Sequence, residues 1–211
     1  FGVPGAQGGF VGVDVFFVIS GFLMSGIILD GLGSRKFSVW RFYWARARRI
    51  VPALAVLCVA VLLIGWFMLM TSDYQVLGLH VRDSLLFSSN LQYLNESGYF
   101  ESDAHEKWLL HTWSLSVEWQ FYLLFPLFLI AVAKLFGSPR SLILSILTLL
   151  LVSFVWSVFL TANQPAAAFF KLESRAWEML AGAMVFVCGR APVSNLAKQI
   201  ASWLGLGMIM A

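Results

Sequence analysis

Five stretches of predominantly apolar residues recur along the chain, at roughly 9–29, 51–70, 113–133, 141–161 and 167–188. Each is close to the about 20 residues that a helix needs to cross a hydrocarbon core about 30 Å thick. Within lipid every backbone N–H and C=O has to be satisfied inside the protein, which leaves helices and closed barrels. Runs this long and this continuously apolar are helical. The expected fold is therefore all-α: a polytopic transmembrane helical bundle of about five full spans plus one re-entrant or interfacial helix. Composition agrees, with 60% hydrophobic and 12% charged residues among 211 and a mean hydropathy of +0.82, where soluble domains carry about a quarter charged residues. The formal net charge of +3 reflects loop bias and not a nucleic-acid surface. A further apolar run begins near 199.

The most informative span is HTWSLSVEWQFYLLFPLFLI at 111–130, because an acid sits inside it. Helical periodicity places His111, Ser114, Glu118 and Tyr122 on one stripe, which should face protein. A carboxylate in hydrocarbon costs roughly 2.5–3.5 kcal/mol, so Glu118 requires a partner, a water-filled cavity or a proton. In the first span Asp14, Gly21 and Ser25 share a face. Gly21 and Ser25 form a small-xxx-small pair that lets another helix approach. Asp14 then looks into the bundle, or alternatively caps the outer helix end near the headgroups. In AFFKLESRAWEMLAGAMVFVCG, at about 167–188, Lys171, Arg175, Glu178 and Gly182 are expected on one face, with Glu173 pointing away. Like charges four residues apart need an answering anion, and Glu178 can be one; a plain ion network is the alternative to a reactive site.

Orientation follows from charge. The segment 30–50, DGLGSRKFSVWRFYWARARRI, carries Arg35, Lys36, Arg41, Arg46, Arg48 and Arg49, which makes it a cytoplasmic loop by the positive-inside rule. Arg46, Arg48 and Arg49 cluster at the mouth of the next helix beside Tyr43 and Trp44. They are either topogenic or suited to a phosphate-bearing ligand. Pro52 is expected in the first turn of that helix, where its missing N–H costs nothing. Residues 76–94 carry His80, Arg82, Asp83, Ser88, Ser89 and Asn90 and read as a re-entrant or surface-lying helix. If they do not cross, 71–107 lies outside with two cations (Arg82, Lys107) against six acids, the polarity that the rule favours. With that orientation Asp14, His111, Glu118 and Arg175 occupy an outer layer and the three arginines an inner one. Cys58 and Cys188 lie in apolar runs and read as buried structural thiols. His105 and His111 lack metal-site spacing, so no metal is expected.

Four separated motifs now stand in order: GFVGVDVFFVISGFL at 9–23, FYWARARRIVP at 42–52, LLHTWSLSVEWQFYLLFP at 109–126 and ESRAWEMLAGA at 173–183. Together they resemble the acyltransferase-3 family of bacterial integral membrane O-acyltransferases, over essentially the whole chain. The resemblance implies that 1–211 is part of a single transmembrane acyltransferase domain, truncated at both ends, within a bundle of about ten helices in the bacterial inner membrane. It implies acyl-CoA, with acetyl-CoA favoured, as donor substrate, no permanently bound cofactor, and a hydroxyl of a cell-envelope glycan or lipid-linked sugar as acceptor. Membrane lipids are the remaining partners, and no nucleic acid is expected. The family's arginine motif maps onto Arg46 and Arg49, with Arg48 between them. Its base histidine belongs to a helix preceding the GFVGVD segment, so the role passes to none of His80, His105 or His111. Residues 1–211 alone are accordingly not expected to turn over. Supporting catalytic roles are expected for Glu118, Asp14, His111, Arg175 and Glu178, since transfer to a hydroxyl needs an oriented base and stabilisation of a developing oxyanion. A transporter or flippase of lipid-linked sugars, which also wants intramembrane charges, is the competing class.

Overall fold

A computed structural model describes residues 11–97 and 107–189, and among them the secondary structure is entirely helical. Eight helices follow in order: α1 (Val11–Gly33), α2 (Val39–Met68), α3 (Thr71–Leu85), α4 (Ser89–Glu96), α5 (Thr112–Phe136), α6 (Pro139–Asn163), α7 (Pro165–Phe170) and α8 (Leu172–Cys188). Helices α1, α2, α5 and α6 are long and apolar enough to cross a membrane. These are four of the five expected spans. The fifth is divided, because Lys171 adopts an extended conformation between α7 and α8. Ser174 secures the break, its hydroxyl lying 2.9 Å from the carbonyls of both Ala168 and Lys171. The 17 residues of α8 rise about 25 Å, less than a full hydrocarbon core.

Between α1 and α2 the connection is short. The chain turns through Arg35, in a left-handed conformation (φ 55°), and Ser38 caps α2 by accepting from the Arg41 N–H. The basic, aromatic stretch expected as a loop over 30–50 is therefore mostly helix. VWRFYWARARR contains no breaker, and once capped at Ser38 it propagates directly into the apolar run. Pro52 consequently lies well inside α2 and not in its first turn. The 30 residues of α2 span about 45 Å, so its first turns can project from the bilayer or line its inner half.

The polar segment after α2 forms α3 and α4, and neither reaches the length of a span. They part at Phe87, whose φ of 54° is left-handed and whose ring stacks on Trp119 of α5 with centroids 4.5 Å apart. Their polar residues face α5. Ser84 and Thr112 hydroxyls are 2.8 Å apart, Ser89 and Ser116 2.8 Å, and Thr112 reaches Ser89 at 3.1 Å. Gln120 bridges α5 to the Phe87 carbonyl and to Asn90 Oδ1. A hydroxyl ladder of this kind satisfies buried polar groups internally, which lets a serine-rich pair of helices pack inside an apolar protein.

Helix α8 packs most extensively on α1 and α6. Contact with α1 is backbone to backbone at Gly21 and Gly182, as the small-residue pattern predicts for α1. Contact with α6 is tied by Ser153, which donates to the Glu173 carbonyl and accepts from the Trp177 N–H. The main core gathers Phe17 and Met24 of α1, Val117 and Phe125 of α5, and Met179 and Leu180 of α8. Cys58 is buried as expected, but Cys188 is exposed. It ends α8, where no neighbouring helix covers it among the described residues.

Candidate active site

The residues singled out from the sequence separate into two polar clusters, both inside the bundle. One centres on Arg175 in the first turn of α8. Its Nη1 donates to Asp14 Oδ1 at 3.0 Å and to Glu178 Oε1 at 2.7 Å, and its Nε donates to the Phe169 carbonyl at 3.2 Å. The guanidinium also lies over the rings of Phe169 and Trp113, at 5.1 and 5.7 Å from their centroids. Five contacts from one side chain fix its position, as a planar, forked cation allows. Asp14 thus serves the bundle from the first turn of α1, with its side chain still 43% exposed. Glu178 is the anion that answers Arg175, and it is buried; its Oε2 is enclosed and has no hydrogen-bond partner. Lys171 does not join this face. It precedes α8 and pairs with Glu173 at 3.3 Å, the residue expected to point away.

The second cluster holds Glu118. The carboxylate is buried in α5, and its Oε1 accepts from the hydroxyls of Ser20 and Tyr122, which are themselves 2.5 Å apart. Ser20 comes from α1, one position before the Gly21 that contacts α8. Tyr122 meets Phe42 of α2 edge to face, at 6.4 Å between centroids, and the Arg46 guanidinium lies over the Phe42 ring, 5.7 Å from its centroid. Arg49 follows Arg46 one helical turn on; Arg46 is half-buried and Arg49 is exposed. Arg48 is exposed on another face of α2. Among the described residues no side-chain hydrogen bond or ion pair neutralises Arg46, Arg48 or Arg49, and Arg46 Nε is buried without an acceptor.

The two-layer expectation is corrected by this arrangement. Glu118 does not join Asp14 and Arg175; its partners are Ser20 and Tyr122, and Tyr122 meets the Phe42 ring over which Arg46 lies. The cause is the helical continuation of 39–50, which carries Arg46 two turns along α2 and up to the level of Tyr122. The stripe on α5 is also shorter than its periodicity suggests. Glu118 and Tyr122 are buried, whereas Ser114 turns back to the His111 carbonyl at 3.1 Å and His111 is exposed at the helix mouth. His111 contacts neither cluster.

Sequence reasoning missed Ser20 and gave Tyr122 no role of its own. The interval between Gly21 and Gly182 shows which face of α1 meets α8, and Ser20 lies one residue off that face. It also missed a third cluster, in which Glu96 accepts from His80 Nε2 at 2.7 Å, Gln92 at 3.0 Å and Lys107 at 2.8 Å. This one joins α3, α4 and the entrance to α5, and His105 falls outside the described residues.

A family model described as an acyltransferase domain matches residues 2–211, and the chain belongs to this acyltransferase-3 family. It is 32% identical over 187 residues to the peptidoglycan O-acetyltransferase OatA of Listeria monocytogenes, covering 86% of this chain and 30% of that protein. It is 32% identical to the O-acetyltransferase OatA of Staphylococcus aureus, covering 85% of this chain and 30% of that protein. An uncharacterized protein of Haemophilus influenzae is 38% identical over 159 residues, 75% of this chain and 62% of that one. The chain thus spans between under a third and somewhat under two thirds of the length of these relatives. No solved structure matches. Membership and the four span-length helices make it a multi-pass membrane protein.

Proposed function

We propose that this domain moves an acyl group, often acetyl, from cytoplasmic acyl-CoA to a hydroxyl of a cell-envelope glycan or related acceptor, in the bacterial inner membrane. The observation that carries the reading is the Arg46 and Arg49 pair. In a chain of the acyltransferase family, two cations stand one turn apart on α2 without ion-pair partners among the described residues, Arg49 exposed and Arg46 half-buried with its Nε enclosed and lacking an acceptor. A guanidinium in that condition suits a phosphate oxygen, which it binds through charge-assisted hydrogen bonds. The peptidoglycan acetyltransferases among the relatives support a glycan acceptor.

In the transfer the acceptor oxygen bonds to the thioester carbonyl carbon, the carbon–sulfur bond breaks, and the hydroxyl proton passes to a base while the thiolate leaves. Arg46 and Arg49 hold the donor's phosphates. Asp14, Arg175 and Glu178 form a rigid charged layer nearer the outer surface, where they orient the acceptor side of the reaction and stabilise charge developing there.

Reconstitution of the full-length protein in vesicles with radiolabelled acetyl-CoA tests this. Label appearing on a glycan acceptor supports the reading; movement of unmodified lipid-linked sugar without labelling replaces it with transport. Arg46→Ala and Arg49→Ala are expected to weaken donor binding by roughly 1.5–3 kcal/mol each. Correctly inserted variants with wild-type donor affinity would show the arginines to be only topogenic.

A further inference from the structure

Glu118 accepts from Tyr122, whose ring meets the Phe42 over which the Arg46 guanidinium lies, yet among the described residues the carboxylate forms an ion pair with neither Arg46 nor Arg49. An ionised carboxylate in a low-dielectric interior is expected to close on the nearest guanidinium, because a direct, hydrogen-bonded contact is worth far more there than in water. Something holds it back. Its Oε1 is occupied by two hydroxyls on two different helices, Ser20 of α1 and Tyr122 of α5, one turn from Glu118 itself. Ser20 is anchored beside Gly21, where α1 and α8 touch through their backbones. Tyr122 is anchored by its ring against Phe42.

We propose that Ser20 and Tyr122 are positioning residues that clamp Glu118 away from Arg46 and so keep this arginine open for an anionic donor. The inference rests on the reading of Arg46 and Arg49 as the donor-phosphate site and adds the device that leaves that site uncommitted. Two features of the geometry carry the proposal. Arg46 Nε is buried and unpartnered although Glu118 is held by the Tyr122 whose ring meets Phe42, the ring beneath Arg46. The same arginine is held on the Phe42 ring that braces Tyr122, so clamp and arginine share one support.

The test is donor binding, with radiolabelled acetyl-CoA, to the full-length protein in membranes. Ser20→Ala with Tyr122→Phe removes both hydroxyls while preserving the ring and nearly all the volume. The freed carboxylate then pairs with Arg46, and donor affinity is expected to fall about tenfold or more, the equivalent of losing one charge-assisted contact. Adding Glu118→Gln to that pair removes the competing charge and is expected to restore affinity to at least the wild-type level. Rescue by a third substitution is not what a merely structural defect gives. If the double variant binds donor normally, or the triple variant binds as weakly as the double, the clamp is wrong. If the double variant fails to accumulate, Ser20→Ala alone, one oxygen atom smaller, should show the same ordering with and without Glu118→Gln, and an unchanged affinity in both overturns the proposal. Arg46→Ala with wild-type affinity is a separate outcome that removes the underlying donor site.

Discussion

Gly21 of α1 and Gly182 of α8 press on each other's helix backbones: a Cβ at Gly21 would lie 1.9 Å from the Met179 oxygen, and one at Gly182 would lie 1.9 Å from the Val18 oxygen. Backbone cannot rotate aside as a side chain does, so a methyl group at either position forces the helices apart. That separation reaches both clusters, since Ser20 and Asp14 ride on α1 and Arg175 and Glu178 on α8.

Gly21→Ala and Gly182→Ala should each destabilise the protein by about 1–3 kcal/mol or more, the usual range for overpacking. Gly78→Ala is the control. It lies in α3 with nothing within 4 Å of its added Cβ, and the gain in helix propensity should stabilise by about 0.5–1 kcal/mol. Thermal unfolding of the three variants in detergent checks the ordering, and equal melting of all three would contradict the close approach of α1 and α8.

Arg175→Met leaves Glu178 buried without its cation. Breaking one side of a buried pair typically costs about 3–5 kcal/mol. Combining it with Glu178→Gln removes the stranded charge, so the double variant should be more stable than Arg175→Met alone. A double-mutant cycle on melting temperature reads the coupling, and strict additivity would mean that the pair does not interact.

The Glu96 cluster predicts a pH dependence. Burial opposes ionisation of Glu96, but hydrogen bonds from Lys107, His80 and Gln92 outweigh it, and the carboxyl is held below the ordinary glutamate range. A carboxyl depressed in the folded state adds stability that is fully present above its unfolded pKa, about 4.3, and that is lost as the pH falls through the folded value. Between neutral pH and the acid range the wild type should therefore lose more stability than Glu96→Gln. Parallel melting curves for the two across that window would rule out the contribution.

Sidedness is open to direct measurement. Single cysteines at Ser34 and Ser97, both exposed, in a background lacking Cys58 and Cys188, should differ in intact cells: Ser97→Cys labels with an impermeant thiol reagent and Ser34→Cys does not. Equal labelling would require α3 and α4 to be redrawn as a crossing segment.

Much of the bundle was readable from residue order. Apolar runs of span length, the small residues Gly21 and Ser25, and the polar content of 76–94 each point to what the fold shows, because hydrophobic periodicity and side-chain size act locally along a helix. Boundaries were less readable where two signals competed. The cations of 41–49 read as a loop flank by charge, yet the same residues are good helix formers and extend α2; Lys171 belongs to an apolar run, yet its backbone is extended and splits the run into α7 and α8. At the sites, Arg175 with Glu178 could be foreseen, since three residues along one helix bring two side chains together. Ser20 with Glu118, 98 residues apart in sequence, could not.

The sequence by itself determined that this chain is a membrane-spanning helical protein of the acyltransferase-3 family, and that it carries charges within its apolar spans. Composition, period and motif are properties of residues and their near neighbours, and they survive any arrangement of the helices. Only the tertiary structure decided which buried charges meet: that Arg175 lies between Asp14 and Glu178, that Glu118 joins the hydroxyls of Ser20 and Tyr122, and that Arg46 stands beside it unpaired. A helix sets the direction of each side chain about its own axis. Its rotation and height relative to its neighbours come from packing, here from two glycines that let α1 and α8 touch and from Phe42 wedged between Arg46 and Tyr122.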